Sequence, residues 1–249
     1  MEPQPLGIYD GFRNFPPLYT EQINDVTLSK QLAIWESFIR SSFGENELFT
    51  INVDDNDHVP FKNTVIQRMI SRNFMILIAQ HMVERGYAYY YHKIKSYCKT
   101  HGCSIWGSLF ISKKFRASIL RNIHDEECIR ISSSVGESEN AISTLKVKRD
   151  LLIDHAIAIG VFGKTIEETA NDVLTYIKTQ ISANQVETPY YLFLGERDAT
   201  KPFRLWPEEH IAIIISTLAM QKRILVTSCL NDDINTLDSK HVGLQYTKS

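Results

Sequence analysis

The sequence predicts an α+β fold of two small domains in tandem, and three observations carry that prediction. Helical stripes and short strand candidates alternate twice along the chain, once over residues 27–91 and again over 165–246. Apolar residues make up 43% and charged residues 22%, enough to bury a core, which sets aside disordered, collagen-like and coiled-coil classes. The 249 residues allow one large domain or two compact ones, at roughly 150 residues per domain.

Each element has its own signal. From Thr27, Leu28, Leu32, Trp35 and Ile39 recur as one apolar stripe of a helix that ends near Phe43-Gly44. Leu48 to Val53 is a short strand candidate, followed by the acidic turn Asp54 to Asp57. Two helical segments follow, Asn63–Met69 and Arg72–Arg85, the second stopping at Gly86, which suits the left-handed position after a helix. Tyr87 to Tyr91 is aromatic and reads as a strand.

The order then repeats. Thr165-Ile-Glu-Glu168 forms a capping box, with Ile166, Ala170, Val173, Leu174, Ile177 and Ile181 on one face of the helix it opens. Tyr190 to Leu194 is a strand candidate. Pro207 suits a first helical turn with Glu208 and Glu209 beside it, and Ile211, Ile214, Ile215 and Leu218 form its buried stripe. Ile224–Cys229 and Val242–Tyr246 close a hairpin. Helix, strand, helix, hairpin is the order of a winged-helix domain.

The domain reading is therefore an extended N-terminal arm over 1–26, a first winged helix over 27–164 and a second over 165–249. The first carries an insertion of about 93–155 in its wing, and Ala156–Phe162 supplies the missing wing strand. The net charge of −2 hides an asymmetry. Residues 93–150 hold 11 Lys and Arg against 6 Asp and Glu, while 1–92 hold 7 against 11. The insertion is the basic part, and its polar stretch Ser132 to Asn140 reads as mobile.

Several chemistries are weighed and set aside. Ala158-Ile-Gly-Val-Phe-Gly163-Lys164-Thr165 resembles a relaxed phosphate loop, but Ala158 replaces its first glycine and only 84 residues follow. Cys98 and Cys103, with Cys128, His92, His101 and His124 nearby, lack the second tight pair of a structural zinc site, so free thiols are expected. No Gly-x-Ser-x-Gly or His-Glu-x-x-His is present, and His124-Asp-Glu-Glu-Cys128 has no second element to fix it. No catalytic residue, metal or cofactor is expected. Met1 to Leu6 does not read as a targeting peptide, and Ile211–Met220 is about half of a membrane span. A soluble, cytoplasmic protein is the expectation.

A base-reading helix needs polar side chains on its exposed face. Pro207–Gln221 is apolar almost throughout, so it is expected to be buried or to meet a protein. A winged-helix nucleic-acid-binding protein stays as the alternative, through the basic insertion. The sharpest signal is Phe15-Pro16-Pro17-Leu18-Tyr19-Thr20. Two prolines favour an extended conformation, and the flanking aromatics suit apolar pockets on a partner. The same segment could instead fold back on its own first domain.

Phe15-Pro16-Pro17-Leu18-Tyr19-Thr20-x-Gln22-x-Asn24 and Lys30-Gln31-Leu32-Ala33-x-Trp35 resemble the vacuolar protein sorting-associated protein 25 family, the small subunit of the ESCRT-II endosomal sorting complex. Pro60-Phe61-Lys62-Asn63 and Ile66-Gln67-Arg68 fit the same pattern, and Pro202-Phe203-Arg204-Leu205 fits it more loosely. The resemblance implies tandem winged helices and a non-enzymatic adaptor. It implies docking of Phe15, Pro16, Pro17, Leu18 and Tyr19 onto the two larger ESCRT-II subunits. It also implies recruitment of an ESCRT-III subunit through the second winged helix at endosomal membranes. The insertion 93–155 departs from the family; its charge permits weak contact with acidic membrane.

Overall fold

Asn24 starts the first helix at Asp25, three residues ahead of the Leu28 that begins its apolar stripe, because its Oδ1 accepts from the Val26 and Thr27 N–H groups at 3.1 and 3.2 Å. The computed structural model describes residues 12–42, 49–55, 60–107, 157–182, 185–195, 203, 205–228 and 238–246. They form a mixed helix-and-sheet, α+β fold in two compact units. The first unit contains the described residues of 12–90 and 157–163; the second contains 91–107 and those from 164 onward.

In the first unit α1 (Asp25–Ser42) and α2 (Arg72–Glu84) pack together. Ser71 caps α2 by accepting from the Phe74 N–H, and Gly86 ends it at φ +76°. An antiparallel sheet has the order β1 (Thr50–Asn52), β5 (Ala158–Val161), β4 (Ala88–Tyr90). Thr50 is opposite Gly160 on one side of the central strand and Tyr89 is opposite it on the other. Gly160 is required there: a Cβ would lie 2.2 Å from Cζ of the buried Tyr89 ring. The sheet thus takes its middle strand from a segment nearly seventy residues downstream of β4.

One expectation changes in this unit. Residues 63–69 are not helical; β2 (Lys62–Asn63) and β3 (Arg68–Met69) form a small antiparallel ladder. Asn63 turns the chain by accepting from its neighbours' N–H groups, and Gln67 adopts φ +52°. Such local side-chain bonds compete with helix. In the phosphate-loop-like stretch, Arg40 Nε donates to the Gly163 carbonyl at 3.0 Å.

In the second unit α4 (Ile166–Gln180) opens on the predicted capping box, with Thr165 and Glu168 bonded reciprocally. Lys164 pairs with Asp172 of α4 at 2.6 Å. α5 (Glu208–Met220) follows, then the hairpin β6 (Ile224–Ser228) and β7 (Val242–Tyr246). The strand expected at 190–194 is instead one wide helical turn, Tyr190–Leu194. Its adjacent Leu192 and Phe193 are both buried while Tyr190 and Tyr191 are exposed, a pairing that wraps rather than alternates. Glu187 alone bridges to Leu244 of the hairpin.

The segment following β4 also differs from expectation. α3 (Tyr91–His101) belongs to the second unit, not to a lobe on the first unit's sheet. Ile94, Cys103 and Trp106 are buried. Tyr91 donates to Glu209 Oε1 at 3.0 Å and Trp106 Nε1 donates to Glu208 Oε1, so the first turn of α5 holds both. In the sequence these apolar positions are hidden among the charged and polar residues of 93–155. Residues 108–156, with His124, Cys128 and the 132–140 stretch, lie outside the described residues.

Candidate functional site

The prolines dictate the local geometry of the N-terminal segment. Phe15 precedes Pro16 and is extended (φ −95°, ψ 105°), since the proline ring disfavours helical backbone before it. Pro16–Tyr19 then makes one 3₁₀ turn. The Phe15 N–H donates to the Phe12 carbonyl and the Leu18 N–H to the Phe15 carbonyl, each at 3.0 Å. Residues 12–20 are therefore two consecutive tight turns. The expected extended arm is corrected here: the described part is folded against the first unit.

The turn divides the five predicted site residues. Leu18 and Tyr19 are 3% and 5% exposed and belong to the unit's own core. Tyr19 meets Trp35 edge to face at 5.5 Å, and Trp35 in turn contacts Phe38, Phe61 and Phe74. Phe15, Pro16 and Pro17 are exposed, Phe15 by half, with Phe12 packed edge-on against it at 6.4 Å. The structure brings Phe15, Pro16 and Pro17 together on the surface and withdraws Leu18 and Tyr19 from it.

A polar clamp holds the division in place. Gln31 on α1 is buried, and its Nε2 lies 3.1, 2.8 and 2.9 Å from the Pro17, Leu18 and Thr20 carbonyls. Trp35 Nε1 donates to the Leu18 carbonyl at 3.0 Å. Gln22 Nε2 donates to the Pro17 and Thr20 carbonyls, and the Gln22 N–H donates back to Gln31 Oε1. Pro16 and Pro17 have no N–H, and side chains from outside the turn add donors to the Pro17, Leu18 and Thr20 carbonyls. Tyr19 Oη and Asn63 Nδ2 both donate to the Arg13 carbonyl, at 3.0 and 2.8 Å. Arg13 lies over the Phe38 ring at 5.5 Å, beside a shallow groove lined by Tyr19, Phe38, Lys62, Asn63 and Thr64.

Gln22, Gln31 and Asn63 have no role in the sequence reading, and Trp35 stands there only as part of an apolar stripe, not as a hydrogen-bond donor. A glutamine on an otherwise apolar helical face was the available signal. Below the clamp, Glu36 is buried and accepts from His81 Nε2 at 3.0 Å and Arg40 Nη1 at 3.3 Å, with Arg85 at 3.6 Å. In the second unit, α5 buries His210 to Ser216 and Leu218. Among the described residues no group of three metal-ligating side chains could hold an ion, and no helix is long and apolar enough to cross a membrane.

This is an α+β protein whose candidate site is an exposed aromatic–proline surface on a hydrogen-bonded turn. Residues 12–112 match the family described as ESCRT-II complex subunit. Vacuolar protein-sorting-associated protein 25 of Xenopus laevis is 34% identical over 84 residues, 33% of this chain and 48% of the relative. The Danio rerio protein of that name is 34% identical over 86 residues, 34% and 49% of the two chains. The alignments thus span about half the length of these relatives.

The fold is similar to the crystal structure of subunit VPS25 of the endosomal trafficking complex ESCRT-II, with a TM-score of 0.57 and 20% identity over 99% of this chain and 100% of that one. It is also similar to a chain in the crystal structure of endosomal complex ESCRT-II (VPS22/VPS25/VPS36), with a TM-score of 0.53, 20% identity and coverage of 93% and 97%. The chain is thus similar to VPS25 proteins in fold, and over residues 12–112 it matches the ESCRT-II subunit family in sequence.

Proposed function

We propose that the chain is a non-enzymatic adaptor subunit of ESCRT-II, acting by binding alone in the sorting of endosomal cargo into multivesicular bodies. Its two units are tandem winged helices, the first interrupted by the segment after β4. Phe15, Pro16 and Pro17, joined by Phe12, dock onto the two larger subunits of the complex. Leu18 and Tyr19 contribute by holding that surface in shape. The second winged helix recruits an ESCRT-III subunit. The protein works in the cytoplasm at endosomal membranes, where exposed Lys95 and Lys99 of α3 suit weak contact with anionic lipid.

The observation that carries this reading is the exposed Phe12–Phe15 pair on a turn whose carbonyls are clamped by Gln31, Gln22 and Trp35. A surface ordered before binding loses little entropy on docking. The test is affinity purification of the tagged chain from its native cell, with partners identified by mass spectrometry. The two larger ESCRT-II subunits are expected at near-stoichiometric yield. Recovery of salt-sensitive nucleic acid without those subunits would overturn the reading in favour of a nucleic-acid-binding protein.

A further inference from the structure

We infer that the β2–β3 turn is the second half of the docking surface, and that its partner is an apolar groove rimmed by carboxylates on a larger subunit. The inference rests on the docking reading and extends it to a second element. Val65 is 81% and Met69 48% exposed, on a hairpin whose other outward residues, Thr64, Gln67 and Arg68, are polar. A single exposed apolar side chain needs no explanation. These two adjoin another exposed apolar pair. β3 packs against the Pro16–Tyr19 turn, and the Asn63 amide ties the elements together from both its ends. Its Nδ2 donates to the Arg13 carbonyl at 2.8 Å and lies 3.0 Å from Asn14 Oδ1. Its Oδ1 accepts from the Val65 N–H at 2.9 Å and the Ile66 N–H at 3.3 Å.

One side chain therefore fixes the Phe12–Phe15 turn and the Val65 turn relative to each other. Ile70 points into the core, so its neighbour Met69 faces outward. Gln67 closes the turn in a left-handed conformation uncommon for glutamine.

Charge identifies the kind of partner. Residues 12–20 and 60–72 contain no Asp or Glu, yet they carry Arg13, Lys62, Arg68 and Arg72. Arg72 is paired with Asp54 at 2.5 Å; Arg68 is exposed and makes no ion pair among the described residues. An apolar centre with a cationic margin is complementary to an apolar groove with carboxylates at its edge. A second copy of this chain would meet the surface with like charge in a two-fold contact, which opposes that alternative.

The test measures the affinity of the full chain for the complex of the two larger ESCRT-II subunits. Variants are Val65→Ser with Met69→Gln, Arg68→Glu, and Phe15→Ala for comparison, each checked for an unchanged melting temperature. Removing the two apolar groups is expected to weaken binding about 10-fold or more. Arg68→Glu is expected to weaken it further at low salt than at high salt. If Phe15→Ala loses binding while both hairpin variants bind within about twofold of the wild type, the inference is overturned and the docking reading stands. If Phe15→Ala also binds normally, the docking reading itself falls. A homodimer of the wild type that the Val65/Met69 variant dissolves would overturn the choice of partner.

Discussion

Phe15 and Tyr19 are four residues apart and stand in opposite environments. Phe15 is 50% exposed and touches Phe12; Tyr19 is 5% exposed and touches Trp35. The difference comes from one 3₁₀ turn, which rotates Leu18 and Tyr19 inward and leaves Phe15, Pro16 and Pro17 outside. The contrast teaches that an aromatic–proline motif need not act as a unit. One half supplies core contacts that pin the other half in a shape fit for a partner. A loss of binding is therefore informative only when folding is measured beside it.

The largest effect is expected from attacking the buried half. Tyr19→Ala removes a core ring and the bond to Arg13, and should cost about 3–5 kcal/mol, read as a large fall in urea midpoint. Next comes the clamp. Gln31→Ala leaves the Pro17, Leu18 and Thr20 carbonyls without its amide and should cost about 1–3 kcal/mol. Its distinguishing sign is faster backbone hydrogen exchange at 18–20 than in α2.

A smaller effect comes from the helix to which the segment is clamped. Burial pushes the Glu36 carboxyl up, but the His81 hydrogen bond and the positive charges of His81, Arg40 and Arg85 outweigh it and hold the group below its ordinary 4.5. A carboxyl depressed in the fold stabilises fully above its unfolded value, and that contribution is lost as pH falls through the folded one. Melting temperature should therefore decline with acid from about pH 4.5 downward. Glu36→Gln should start lower at neutral pH and decline less steeply. An equal slope in both proteins would remove Glu36 from the account.

Much of the fold was legible because its signals are local. The capping box at Thr165, the stop at Gly86 and the stripe of α1 depend on neighbours a few residues away, and each stands where its local signal places it. The failures are tertiary. Asn63–Met69 carries apolar residues at helical spacing, yet the Asn63 side chain and the β2–β3 ladder take the backbone groups a helix would need. Tyr190–Leu194 has strand-forming residues, but Ser239 and Gly195 fix it as a turn through the Tyr190 N–H and carbonyl. The site was legible as a segment and not as two halves, since nothing within Phe15–Thr20 reveals that Gln31 and Trp35, more than ten residues on, will bind its carbonyls.

The measurement that tests the central claim most directly sets melting temperature against affinity for the two larger ESCRT-II subunits, in Phe15→Ala and Tyr19→Ala side by side. Phe15→Ala should keep its melting temperature, with a stability change within about 0.5 kcal/mol, and lose affinity by about 30-fold or more. Tyr19→Ala should lose stability first, with its affinity falling as the turn loosens. A Phe15→Ala protein that is folded and binds like the wild type would contradict the claim that the exposed half is the docking surface.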